Sequence, residues 1–154
     1  MSRAFVREND EALPELPERR ISAHPNYVTR SGLQQLEATI ATLEAERQSA
    51  RERGDQPALA RIARDLRYFM ERRSSARVVE PPNAPDSVRF GVRVVLRLSD
   101  GEERSFRLVG EDEADPTQGS ISWVSPLARS LMGLELGEEC TFHDAPAEIV
   151  RLES

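Results

Sequence analysis

The chain of 154 residues has no lysine; all 21 of its basic residues are arginine. GC-rich codon usage accounts for that bias, but the absence still excludes chemistry. No lysine amine is available for a Schiff base or as a general base, and the phosphate-binding G-x-x-x-x-G-K-[ST] loop cannot be formed. Without that loop, Asp112-Glu113-Ala114-Asp115 does not mark a helicase. Cysteine is nearly absent too: Cys140 alone permits no intrachain disulfide, so a reducing cytoplasm is the expected compartment. No apolar run approaches the ~18 residues of a membrane helix. The opening Met1-Ser2-Arg3-Ala4-Phe5-Val6-Arg7-Glu8 lacks the apolar stretch of a signal peptide, so neither secretion nor a membrane partner is expected. No Ser/His/Asp triad or G-x-S-x-G motif is evident. Cys140 and His143 lie three apart on an expected strand, point to opposite faces, and have no second pair to complete a zinc site. No metal or other cofactor of the protein's own is expected.

What is present is charge, unevenly spread. Residues 29–80 hold ten arginines against eight acidic groups, and residues 81–154 hold seven against fourteen, so the net charge of -6 belongs mainly to the last module. Such an acidic module suits a basic protein surface better than nucleic acid. Arg51, Arg53, Arg61, Arg64, Arg67, Arg72 and Arg73 make the middle locally basic, either as a solvated helix face or as a surface for an acidic channel or RNA.

Residues 1–27, with Pro14, Pro17 and Pro25 among charges and no periodicity, predict a flexible or extended tail. Thr29 is a candidate N-cap, with Val28 and Leu33 placed as a hydrophobic staple. Leu33, Leu36, Ile40 and Leu43 then recur at helical spacing through Arg47 to Ala50. After Gly54-Asp55-Gln56-Pro57 the pattern resumes with Leu59, Ile62, Leu66, Phe69 and Arg73. Two such stripes bury their faces only against each other, which predicts an antiparallel α-hairpin within 28–79, its arms at 30–53 and 57–76. At about 1.5 Å per residue the first arm projects about 36 Å.

Residues 80–86, Glu80-Pro81-Pro82-Asn83-Ala84-Pro85-Asp86, predict a stiff linker. Beyond it Val88, Phe90, Val92, Val94, Leu96 and Leu98 alternate as a half-buried strand, and Ser99-Asp100-Gly101-Glu102 turns it into a return strand at 105–109. Further strands are expected at 120–124, 139–143 and 147–152. Ser125 and Pro126 would open a short helix ending at Gly133. Residues 87–154 thus predict an antiparallel sheet with one short helix, and the whole chain is α+β. Trp123 suits either an interface anchor or core.

Val109-Gly110-Glu111-Asp112-Glu113-Ala114-Asp115 followed by Ile121-Ser122-Trp123-Val124-Ser125-Pro126-Leu127-Ala128-Arg129-Ser130-Leu131-Met132-Gly133 closely resembles the C-terminal signature of the bacterial Gre transcript-elongation factors. The likeness extends over roughly residues 26–154, including Phe90-Gly91 and Arg104 to Gly110. It implies an FKBP-like sheet domain that docks at the rim of the secondary channel of bacterial RNA polymerase, with the hairpin passing inward. The docking residues implied are Asp112, Glu113, Asp115, Ser125, Pro126 and Arg129. At the tip, the resemblance implies acidic residues that help hold the polymerase's Mg²⁺ and stimulate its own hydrolysis of backtracked RNA. On that reading the chain is not itself an enzyme and has no small-molecule substrate.

The chain departs from the family at the tip, which reads approximately Gly-Asp-Leu-x-Glu-Asn-Ala-Glu-Tyr in its members. Here Asp55 matches the first acidic position, but Ala58 replaces the second carboxylate. Asp55 therefore reads either as the assisting tip carboxylate or as a helix cap. Each arm also looks about a heptad short, a loss of about 10 Å of reach. A relative of the Rnk type, which binds the channel without cleavage and competes with Gre factors, is the alternative. A peptidyl-prolyl isomerase is a third, for which Phe90, Phe106, Trp123 and Phe142 would have to line one pocket.

Overall fold

A computed structural model describes residues 16–154. Helices α1 (Arg30–Arg53) and α2 (Gln56–Ser75) form the expected hairpin. Thr29 caps α1, its Oγ1 accepting from the Gly32 amide at 2.9 Å. Gly54 ends it in the left-handed conformation, φ 64°, which a side chain would oppose. Between the arms Leu36, Ile40, Ala50, Ala58, Ile62 and Leu66 are buried. Towards the tip the buried residues are Ala50 and Ala58, small enough for the helices to close on each other. Arg73, expected on the buried stripe, is exposed, while its neighbour Arg72 is 1% exposed.

The second module is a five-stranded sheet in the order β5 (Ser120–Ser122), β4 (Glu103–Val109), β3 (Arg93–Arg97), β7 (Ala145–Glu153), β6 (Glu139–Phe142). It is mixed rather than wholly antiparallel, because β5 runs parallel to β4. Residues 110–119, with a 3₁₀ turn at Pro116–Gln118, carry the chain back along the sheet before β5 starts, as a parallel pair requires. The first long strand is shorter than its alternation suggests. Gly91 has φ 84° and turns the chain at Phe90-Gly91, so β3 begins at Arg93. Helix α3 (Pro126–Leu131) closes one face, putting Ala128 and Leu131 onto Val88, Val94, Leu96, Leu108, Ile121 and Ile149.

A two-stranded parallel ribbon, β1 (Tyr27–Val28) with β2 (Arg77–Val78), joins the start of the hairpin to its end. Residues 16–26, within the expected flexible or extended tail, form no helix or strand but are held against α2; residues 1–15 lie outside the described residues. Glu18 and Arg19 meet α2, and Asn26, 5% exposed, donates through Nδ2 to the Arg72 carbonyl at 2.6 Å.

Candidate docking site

At the hairpin tip Asp55 caps α2, its Oδ1 accepting from the Ala58 amide at 3.1 Å, and Oδ2 lies 3.8 Å from an Arg53 nitrogen. Ala58 is buried between the arms, so the position of the missing second carboxylate points inward, away from any ligand. Asp55 is thus the single carboxylate of the turn between the helices, half-exposed beside an arginine. Among the described residues no cluster of three or more His, Cys, Asp or Glu is placed to hold a metal.

The acidic loop does something the sequence did not reveal. Asp112 accepts from the Tyr68 hydroxyl at 2.5 Å through Oδ1 and from Arg72 Nε at 2.6 Å through Oδ2, and Glu111 lies 3.5 Å from Arg72. Glu113 accepts from the Thr29 amide at 2.9 Å and from the Thr29 hydroxyl. Since α1 has no acidic residue in its own first turn, Glu113 supplies the negative charge that its N-terminus favours. The loop therefore fastens the sheet module to both arms of the hairpin. Burial pushes the Tyr68 hydroxyl up to about 12, helped by the hydrogen bond to Asp112 and its charge. For Arg72 burial opposes the charged form, but the bond to Asp112 and the charges of Asp112 and Glu111 more than offset it and raise its pKa.

Asp115 and the α3 edge lie apart from that fastening. Asp115 caps the 3₁₀ turn, accepting from the Thr117 amide at 3.1 Å and the Thr117 hydroxyl at 2.6 Å. Ser125 caps α3 through the Ala128 amide at 3.2 Å, Pro126 follows as its first residue, and Arg129 is exposed on its surface. Pro126 also borders an open groove of about 500 Å³ with Phe106, Pro116, Ile121, Leu127 and Phe142. Of the six residues expected to dock, then, Asp115, Pro126 and Arg129 are exposed and Ser125 is half-buried, and the capping contacts of Asp115 and Ser125 stay within the sheet module. Asp112 and Glu113 are already committed to the hairpin.

Comparison with known proteins follows the same division. The family model described as "Transcription elongation factor, GreA/GreB, C-term" matches residues 82–153. The GreA of Oceanobacillus iheyensis is 35% identical over 135 residues, covering 75% of this chain and 85% of that protein.

This chain belongs to the GreA/GreB transcription elongation factor family.

A GreB from Neisseria meningitidis is 44% identical over 80 residues, which are 51% of this chain and 49% of the relative; the chain thus spans about half the length of the curated relatives that head the comparison. A solved GreA/GreB factor from Nitrosomonas europaea covers 84% of the chain at 22% identity and a TM-score of 0.43. Within this Gre-family chain the four aromatics do not line one pocket. Phe106 and Phe142 pair at 5.6 Å, while Phe90 and Trp123 pack on Tyr27 at 6.1 and 5.1 Å. Trp123 is thus engaged by the N-terminal segment, with His24 edge-on at 6.0 Å. Cys140 is half-buried, and burial pushes its thiol up. The arginines expected as one basic face separate. Arg64 pairs with Asp65 and Arg72 is buried, while Arg51, Arg53, Arg61, Arg67 and Arg73 are exposed, Arg67 pairing with Glu18 and Arg53 with Asp55.

Proposed function

We propose that the protein acts on bacterial RNA polymerase, with the sheet module docked at the rim of the secondary channel and the hairpin inserted, and that it modulates paused or arrested elongation complexes. The family membership brings the partner. The observation that supports the mode of action is the fastening of both hairpin arms to the sheet module by Asp112 and Glu113, since a probe held at its base can transmit a docking position to its tip. Pro126 with its groove and exposed Arg129 offer the docking edge, and Asp115 lies close by in sequence at the turn that leads into it. On this reading the polymerase performs any hydrolysis and supplies the Mg²⁺; the protein adds at most the carboxylate of Asp55. Work on polymerase also implies the cytoplasm; among the described residues no helix is long and apolar enough to cross a membrane.

One observation favours the reading without cleavage. A second, weakly held metal ion in phosphodiester hydrolysis gains from added carboxylates, and here one oxygen of Asp55 caps α2 while the other faces Arg53. This supports, as the second reading, a channel-occupying regulator that competes with cleavage factors. RNA cleavage in stalled, backtracked complexes separates the readings. Asp55→Ser keeps the cap and removes the carboxylate. Cleavage by wild type that is lost in Asp55→Ser would establish an anti-arrest factor. Displacement of a cleavage-stimulating Gre factor, with no cleavage stimulated by wild type or by Asp55→Ser, would establish the competitor.

A further inference from the structure

The N-terminal segment, the hairpin and the acidic loop share two residues of α2. The Arg19 guanidinium lies 3.9 Å from the centre of the Tyr68 ring, 5.0 Å from that of Phe69, and 3.5 Å from Asp65. The hydroxyl of that same Tyr68 donates to Asp112 in the sheet module. One turn on, the Arg72 carbonyl accepts from Asn26, while its guanidinium binds Asp112 and Glu111. Each residue thus meets the segment on one side and the loop on the other. We propose that residues 16–26 form a releasable strap that holds the hairpin in its set direction on the sheet module, acting through Tyr68 and Arg72.

The strap's contacts are graded. At its outer end Glu18 meets Arg67 at 2.9 and 3.1 Å, with both side chains more than half exposed. Salt screens such pairs, and each is worth little alone. At the inner end Asn26 is buried, and the main chain joins the β1–β2 ribbon through the Arg77 amide, which donates to the Asn26 carbonyl at 2.8 Å. Release therefore begins at the exposed Glu18–Arg67 pair and proceeds towards Asn26. It uncovers Tyr68 before it reaches Arg72, so the hydrogen bond to Asp112 loses its outer cover first. The strap lies along the C-terminal half of α2, and a sleeve fitted around that part of the hairpin would have to accommodate it or lift it. The inference concerns the free protein and does not depend on what the hairpin enters.

Electron–electron distance measurements on the full chain test it, with labels at Gln48→Cys on α1 and Glu148→Cys on β7 in a Cys140→Ser background. Arg19→Ala should raise the population outside the main distance peak about two- to fivefold, the size of an exposed cation–π contact. Arg19→Lys should fall between, and raised salt should move the parent towards Arg19→Ala. Tyr68→Phe keeps the ring under Arg19 but cuts the link to Asp112, so in that background Arg19→Ala should have a much smaller effect. An unchanged distribution in Arg19→Ala, or an equal effect in both backgrounds, would overturn the proposal. Circular dichroism confirms that each variant is folded before it is compared.

Discussion

Asp55 has two duties at the hairpin tip, and they can be separated. As a cap it satisfies an amide at the start of α2, so Asp55→Ala should cost about 1 kcal/mol, whereas Asp55→Ser should stay within about 0.5 kcal/mol of wild type. Urea unfolding gives both values. Arg72 is the more consequential side chain. Its charge is 2% exposed and answered by Asp112, so Arg72→Met leaves a carboxylate without its partner and should cost about 3 kcal/mol. Adding Asp112→Leu removes the stranded charge and should recover part of that loss. A larger loss in the double variant would show that Asp112 serves the fold apart from Arg72. The Asp55 cap was legible in the sequence, but the Arg72–Asp112 pair was not: Arg72 and Arg73 are adjacent arginines, and helical spacing pointed to Arg73. Arg72 is buried by contacts outside the hairpin, with a loop forty residues away, which the period of one helix cannot report.

At the scale of elements the sequence was far more informative. The apolar spacing, the Thr29 cap and the Gly54-Asp55 break located both arms within a few residues, because local steric and hydrogen-bonding rules decide those features. The sheet was legible as strands and less so as topology; alternation marks which residues share a face but not which way a neighbouring strand runs, so the parallel β4–β5 pair was missed. Nor could alternation register the turn at Gly91. The joint between elements yields its own prediction. A Cβ on Gly32 would lie 1.9 Å from a Glu113 oxygen, and its three nearest neighbours would all be Glu113 atoms. Gly32→Ala should therefore expel that carboxylate and destabilise by about 1–3 kcal/mol through the bonds lost at Thr29. In a Glu113→Ala background the same change should be neutral or stabilise by about 0.5 kcal/mol, since alanine is the better helix former. A cost that persists without Glu113 would mean that crowding elsewhere decides the position.

For the whole molecule the missing lysines simplify the alkaline range. The Tyr68 hydroxyl is raised to about 12 in the folded chain against 10.0 for an unperturbed tyrosine. Because the unfolded state loses that proton first, the contribution is complete below pH 10 and declines as the pH rises towards 12. Urea midpoints should fall more steeply over that interval in wild type than in Tyr68→Phe; parallel curves would remove Tyr68 from the joint. The same joint makes the functional account specific, since a hairpin fixed at its base must point where the docked module directs it. The decisive measurement places a photo-crosslinker at Arg53 near the tip and, separately, at Arg129 on α3, with each protein bound to bacterial RNA polymerase. The account predicts crosslinks from Arg53 inside the secondary channel and from Arg129 at its rim. Crosslinks from Arg53 only to the outer surface of the polymerase, or no binding at all, would contradict it.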